Sequence, residues 1–182
     1  GATYNMPYES MYDGEALIRQ LYLGKKWLQK ILPGCEFLTD WNEDVPGTAL
    51  QWPQILAKAG VKYLYISRQE PGIYRWYSKD GSNVLMFTPG HYYNGSRAID
   101  EGGDSAKGLS KYINGWSVYF KARKFKRALP LLITTDWNQP SDLHSFFQTW
   151  NSQAKRNGLP QLRYAIAATT IDRKSTRLTF IH

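Results

Sequence analysis

The chain has little cysteine and histidine and no long apolar run. Its single cysteine, Cys35, excludes an internal disulfide framework and a zinc site of the CxxC type. The three histidines, at positions 91, 144 and 182, have no metal-ligand spacing among them. No apolar run approaches the roughly 20 residues that a membrane-spanning helix needs, so no membrane span is predicted. Glycine-rich phosphate-binding motifs of the GxGxxG and GxxxxGK[ST] types are also absent, which argues against the nucleotide-binding classes that use them.

The composition predicts one folded domain with an excess of aromatic and basic side chains. Hydrophobic residues make up 42% of the 182 residues, which permits a packed core. The net charge is +8, but several of the cations cluster in 121–127, near the end of a predicted helix, where they also complement the helix dipole. We therefore predict no nucleic-acid partner. The 7 tryptophans and 13 tyrosines suit a core, and they also suit the faces of sugars.

Segments with helical and strand patterns alternate along the chain. Predicted helices cover 13–32, 50–59, a segment from Leu109 to Phe120 ending before Pro130, and 141–157. Predicted strands cover 36–41, 61–67, 74–77, 83–88, 131–135 and 161–167, and residues 94–111 are predicted to be a surface loop that opens into a helix. This alternation predicts an α/β fold with parallel strands. Because a complete eight-fold barrel needs about 250 residues, the chain forms part of such a barrel or a smaller open sheet.

Polar and aromatic side chains follow four of the predicted strands. In parallel α/β folds, ligands bind at the carboxyl ends of the strands. The residues in question are Asn42, Glu43 and Asp44 after the first strand, Arg68 after the second, His91, Tyr92 and Tyr93 after the fourth, and Asp136 and Trp137 after the fifth. Each has an ordinary structural alternative, such as a turn aspartate, an ion-pair arginine or a core tyrosine. Together they predict a polar site for a sugar-like or phosphate-like ligand.

Several short segments then occur in an order that resembles a known family. The opening segment Ala2–Ser10 precedes a helix that starts with Gly14-Glu15, and the segment WNEDVPG at 41–47 is followed by PQIL at 53–56 and AGV at 59–61. Further along come an Asp-Gly-Ser hairpin at 80–82 and the strand LLITTD at 131–136. These short segments, which cover most of residues 4–167, resemble the catalytic domain of glycoside hydrolase family 38, the α-mannosidases.

The resemblance implies a retaining α-mannosidase that hydrolyses terminal α-mannosyl residues of glycans. Asp44 matches the family's nucleophile, which is also a ligand of a Zn²⁺ ion, and Asp136 matches the acid/base. The mannose pocket is then expected to be lined by Trp41, Arg68, His91, Tyr92 and Trp137. The implied fold is part of a distorted (β/α) barrel of the glycoside hydrolase/deacetylase type.

The chain departs from the family pattern in two places. The family usually has Asp-x-Phe-Gly-His at the nucleophile, whereas this chain has the sequence DVPGT at 44–48, without the phenylalanine and the histidine. The family's other zinc ligands, a His-x-Asp pair and a distal histidine, are expected outside this sequence. We therefore expect residues 1–171 to be an internal fragment of a longer enzyme, inactive alone, and residues 172–182 to be a non-native tail that resembles a translated adapter.

Three other functions fit parts of the pattern. A metal-dependent polysaccharide deacetylase can share a distorted barrel and acids at the strand ends, but it needs a further histidine beside Asp44 and His91. A non-catalytic carbohydrate-binding domain would also explain the aromatic excess. A nucleic-acid binder ranks third.

Overall fold

The computed structural model describes residues 1–45, 47–100, 105–122, 131–133, 142–165 and 179–181. Their regular elements follow one another as a 3-10 helix Glu9–Met11, α1 Gly14–Ile31, β1 Thr39–Asn42, α2 Trp52–Lys58, β2 Tyr63–Ile66, β3 Gly72–Tyr77, β4 Asn83–Thr88, α3 Asn94–Asp100, α4 Ser105–Ala122, α5 His144–Asn157 and β5 Thr179–Ile181. The class is mixed α/β, as predicted. The described strands form an open sheet, so a barrel is not confirmed.

The predicted ends of two long helices are set by their capping residues. The carboxylate of Asp13 accepts a hydrogen bond of 2.7 Å from the Ala16 backbone N–H and so begins α1, as the sequence predicts. At the other end of the chain, α5 ends at Gly158, which adopts a left-handed φ of 65°. None of the described helices combines the length and the apolar character that crossing a bilayer requires.

The sheet is mostly parallel and has the strand order β1-β2-β4-β3-β5. Strand β1 pairs in parallel with β2, and β2 in parallel with β4. Strands β3 and β4 form the predicted antiparallel hairpin, and β5 lies parallel to β3 at the far edge. The carboxyl ends of β1, β2 and β4 therefore lie at one edge of the sheet.

Both faces of the sheet are buried, and the strands divide their side chains between them. One face packs Leu64, Ile66, Val84 and Met86 against apolar residues of α1 and α2, such as Leu21 and Leu56. The opposite face holds a second apolar cluster, which comprises Tyr63, Tyr65, Ile73, Leu85 and Phe87, with Leu38 and Trp41 packed against it. Burial on both faces explains the nearly continuous apolar sequence of β2 and β4.

The surface loop predicted from residue 94 is wrong over 94–100 and 105–108, where the chain forms α3 and the start of α4. The helix into which the loop is expected to open, with Leu109 on one face, is confirmed by α4, and residues 101–104 lie outside the described residues. The glycine-, serine- and aspartate-rich composition favours a loop locally. In the structure, however, Ala98 and Ile99 of α3 are buried, and Leu109 of α4 is 1% exposed. Burial of these apolar side chains outweighs the weak helix propensity of the neighbouring residues.

Two predicted strands are not found where the structure describes the chain. Residues 131–133 and 161–165 belong to no sheet, while 134–135 and 166–167 lie outside the described residues. Side chains of α5 bind the second segment instead: Asn151 accepts a hydrogen bond from the Leu162 N–H and donates one to its carbonyl, at 2.7 and 2.9 Å. The backbone groups that a strand would pair are thus satisfied by a helix side chain.

Candidate active site

The parallel strands bring three of the candidate residues to one edge. Asp44 lies just beyond β1, Arg68 just beyond β2, and Tyr92 shortly after β4. Because β1, β2 and β4 are neighbours, their carboxyl ends open onto the same region. This parallel pairing allows the polar side chains after the strands to converge at one edge of the sheet.

Asp44 is the centre of the contacts at this edge. Its Oδ1 accepts a hydrogen bond of 3.0 Å from Nε of Arg68, and the Nη2 of the same guanidinium also contacts Oδ1. Its Oδ2 accepts a hydrogen bond of 3.2 Å from the hydroxyl of Tyr92. The side chain is still 39% exposed, so a ligand can reach the carboxylate.

Arg68 is held in an unusual backbone conformation that directs it to Asp44. Its φ is 64°, the only positive φ of a non-glycine residue in the described part of the chain. The Arg68 N–H donates a hydrogen bond of 2.5 Å to the carbonyl of Gly90, which ties the end of β2 to the turn after β4. The hydrogen bond from Arg68 to Asp44, together with the negative charge of Asp44, raises the pKa of the guanidinium.

An aromatic group borders the pair. The His91 and Tyr92 rings stack with centroids 4.7 Å apart, and the Arg68 guanidinium lies 6.0 Å from the Tyr92 centroid. Nδ1 of His91 accepts a hydrogen bond of 3.2 Å from the backbone N–H of Tyr93. His91 is therefore held by its own turn through Nδ1.

Trp41 lies apart from this group. Its ring stacks on Tyr65 at a centroid distance of 4.3 Å, within the second apolar cluster of the sheet. The structure thus places Trp41 inside β1, and Asp44 beyond its end. The remaining two candidates, Asp136 and Trp137, lie outside the described residues.

Glu43, directly before Asp44, belongs to the strand-end residues that the sequence analysis names, but the family resemblance gives it no role. Both of its carboxylate oxygens are buried without a hydrogen-bond partner among the described residues. This burial raises the pKa of Glu43 to about 8. Burial raises the pKa of the Tyr65 phenol, and the negative charge of Glu43 raises it further. The position of Glu43 after the first strand is the sequence signal for this residue, whereas its burial is visible only in the structure.

Two further carboxyl groups are buried, one in the 3-10 helix and one in β1. Glu9 is 1% exposed and Asp40 is fully buried. Burial raises the pKa of Glu9 to about 8, against the opposing effect of hydrogen bonds from Ala49 and Asn42. Burial also raises the pKa of Asp40, although the Thr3 hydroxyl donates to it at 3.1 Å.

These buried carboxyl groups predict that the domain loses stability as the pH rises. At a pH between its two pKa values, a carboxyl whose pKa is higher in the folded state keeps its proton in the folded state and has lost it in the unfolded state, so rising pH favours unfolding. For Glu9 the window lies between 4.5 and about 8, where unfolding becomes easier by about 1.4 kcal/mol per pH unit. Urea unfolding at pH 5.5 and pH 7.5 measures this, and Glu9→Gln should reduce the difference without abolishing it, because Glu43 and Asp40 remain. Equal stability at both pH values would contradict the raised pKa.

The described residues do not form a zinc site on their own. They contain no group of three or more His, Cys, Asp or Glu side chains placed to hold a metal ion. Both oxygens of Asp44 already accept hydrogen bonds, from Arg68 and Tyr92. Asp44 is therefore at most one member of a metal site whose other ligands lie elsewhere.

Comparison with known proteins gives one family and one fold. Residues 1–178 match the family model described as "Glycosyl hydrolases family 38 N-terminal domain". The chain is also similar in structure to an alpha-mannosidase from Enterococcus faecalis V583, with a TM-score of 0.72 and 13% sequence identity. That similarity covers 100% of this chain and 21% of the other, so this chain spans about a fifth of that protein's length. At this identity the structural likeness shows the fold alone. No curated protein matches the chain.

Proposed function

This chain belongs to family 38 of the glycosyl hydrolases through its N-terminal domain, and on that premise we propose that it is part of a retaining α-mannosidase. The substrate we propose is a terminal α-mannosyl residue of a glycan. The observation that carries the proposal is the setting of Asp44. This carboxylate follows a parallel strand, is reachable from outside, and is oriented through both oxygens by Arg68 and Tyr92.

The proposed reaction uses Asp44 as the nucleophile. Retaining glycosidases carry two carboxyl groups about 5 Å apart, one to attack the anomeric carbon and one to protonate the leaving oxygen. Asp44 would form the bond to the anomeric carbon while the second group gives its proton to the departing oxygen. A water molecule, deprotonated by that second group, would then release mannose and free Asp44. The hydrogen bonds from Arg68 and Tyr92 support this role because they fix the direction of the attacking oxygens.

We propose Asp136 as the acid/base, on its sequence position after an apolar run. The sugar would be bordered by His91 and Tyr92, whose stacked rings lie beside Asp44. Trp41 and Trp137 are proposed as further aromatic surfaces. For Trp41 this requires the sugar to reach the sheet face where Trp41 stacks on Tyr65.

We further propose that the chain works within a longer, zinc-dependent enzyme that completes a distorted barrel. The proposal is supported by the share of the alpha-mannosidase that this chain covers, 21%. Asp44 would supply one oxygen ligand to zinc, and residues outside the described part would supply the others. Because the described residues do not fit zinc by themselves, no catalytic step is assigned to the metal.

Family membership favours this function over the two carbohydrate alternatives. A deacetylase would need a histidine that shares a metal with Asp44. The described structure pairs Asp44 with Arg68, while Nδ1 of His91 accepts a backbone hydrogen bond. A non-catalytic sugar-binding domain would not need a carboxylate held by two donors at a strand end.

Turnover of an activated aryl α-mannoside by the longer enzyme tests the function. We expect aryl α-mannoside cleavage, with mannose released first as the α-anomer by NMR, no cleavage of the matching β-mannoside, and no acetate from acetylated polysaccharide. Release of acetate alone would favour the deacetylase. Sugar binding without turnover would favour the binding domain.

The isolated 182-residue chain is expected to retain much less than one zinc ion per molecule after dialysis. The reason is that catalytic zinc generally uses three protein ligands. The described residues contain no group of three such side chains, and Asp44 is the one expected ligand among them. Elemental analysis of the dialysed protein measures the ratio. Stoichiometric zinc that survives dialysis would place a complete metal site within this chain, and His91 would be the first residue to substitute.

A further inference from the structure

Glu9 carries a buried carboxyl group that joins two distant parts of the chain. It lies in the 3-10 helix Glu9–Met11, far from Asp44 in sequence. Its Oε1 accepts a hydrogen bond of 2.5 Å from the side-chain amide of Asn42, 33 positions along the chain. Its Oε2 accepts a hydrogen bond of 3.0 Å from the backbone N–H of Ala49, 40 positions along the chain.

These two partners bracket the segment that carries Asp44. Asn42 is the last residue of β1 and is fully buried. The Ala49 carbonyl accepts the N–H of Trp52 at 2.9 Å and so leads into α2. We call residues 42–49 the nucleophile segment, of which Pro46 lies outside the described residues. Glu9 thus holds both ends of the nucleophile segment with one side chain.

A second, independent contact joins the same two parts. Gly47 has a φ of 82°, and a Cβ at this position would lie 2.5 Å from Oγ of Ser10. The nucleophile segment therefore packs directly on the residue that follows Glu9. These contacts reach the side chain of Asn42 and the backbone at Gly47 and Ala49, and none of them involves the Asp44 carboxylate.

We propose that Glu9 is a positioning residue that fixes the nucleophile segment and thereby aims Asp44. This inference rests on the proposed function for its catalytic consequence. A displacement of about 1 Å in a reacting group can cost up to about a hundredfold in rate. Loss of the Glu9 hydrogen bonds frees the segment at both ends, so the rate constant of the chemical step falls while ground-state sugar binding changes little.

The test compares two replacements of similar size. Glu9→Met keeps the packing volume but removes both acceptors. Glu9→Gln keeps one acceptor for Ala49. When the Asn42 amide turns over, the new amide can donate to Oδ1 of Asn42, which has no hydrogen-bond partner among the described residues. As a matched control, Asn151→Leu removes the side chain that binds the backbone of Leu162, a comparable bridge away from the site.

Hydrogen exchange of the 182-residue chain measures how firmly Glu9 holds the nucleophile segment, and this measurement does not depend on enzyme activity. Glu9→Met should speed exchange at Ala49 and through the nucleophile segment, and Glu9→Gln should change it much less. Asn151→Leu should speed exchange at Leu162 and leave Ala49 alone. Unchanged exchange at Ala49 in Glu9→Met would show that Glu9 does not hold the nucleophile segment, independently of the kinetic result.

Kinetics of the longer enzyme then test the positioning role. For an aryl α-mannoside, we expect kcat to fall between about tenfold and a hundredfold in Glu9→Met, with KM within about threefold and largely restored kcat in Glu9→Gln. Asn151→Leu should leave kcat unchanged. If the loss of kcat in the three variants simply parallels their loss of melting temperature, Glu9 is not a positioning residue. A wild-type enzyme without mannosidase activity would refute the proposed function. The exchange result would still show whether Glu9 holds the nucleophile segment.

Discussion

Replacing Asp44 with alanine is expected to lower kcat/KM on an aryl α-mannoside by at least about a thousandfold in the longer enzyme. The variant has no carboxylate to attack the anomeric carbon, and Arg68 and Tyr92 lose the group that they orient. Added azide should restore turnover by attacking the substrate directly. Its product should be the β-mannosyl azide, since one displacement inverts the anomeric carbon.

Asp80→Ala is the matched control for that experiment. Asp80 is also a partly exposed aspartate in an ion pair, with Lys58 at 3.4 Å, but it lies in the β3–β4 turn. The control should keep wild-type turnover. If Asp44→Ala kept a tenth of the wild-type activity, Asp44 would not be the nucleophile.

The second large effect is expected for Asp136→Ala and depends on the leaving group. A substrate with a poor leaving group needs a proton on the departing oxygen, so its hydrolysis should slow by about a hundredfold to ten-thousandfold. An activated aryl mannoside needs little protonation and should still form the glycosyl-enzyme. Azide should then speed turnover of the activated substrate and give the α-mannosyl azide, because two displacements retain the configuration.

Steady-state rates on an aryl mannoside and an alkyl mannoside measure this difference. Equal losses on both substrates, without azide rescue, would assign Asp136 to an ordinary turn before the helix. The opposite anomers of the azide products distinguish the roles of Asp44 and Asp136 within one pair of variants.

The meeting of Asp44, Arg68 and Tyr92 could be foreseen because it depends on topology. Residues that follow parallel neighbouring strands share an edge, and the apolar runs of β2 and β4 were strong signals for buried strands. The resemblance to family 38 is confirmed by the match over residues 1–178. The roles of individual site residues remain predictions.

The family resemblance implies Trp41 as a residue of the sugar pocket, and the structure places Trp41 inside β1, on one face of the sheet. The sequence ended the first strand at residue 41, whereas the structure continues it to Asn42. A side chain inside a strand belongs to one face of the sheet, and Trp41 consequently packs on Tyr65.

Glu9 could not be found from a strand-end pattern. It precedes the first long helix, and its partners Asn42 and Ala49 are recognisable only after the chain has folded. Sequence periodicity reports local structure, whereas a buried carboxylate that bridges distant segments is a tertiary feature. The same holds for the left-handed backbone of Arg68, which depends on the carbonyl of Gly90.

The central claim is that Asp44 becomes covalently attached to the sugar. A fluorinated α-mannosyl fluoride, which forms the glycosyl-enzyme faster than water releases it, should trap this species in the longer enzyme. Proteolysis and mass spectrometry should then find one mannosyl-derived adduct, on the carboxylate of Asp44 within the peptide that follows β1. An adduct on another residue, such as Glu43, would contradict the account.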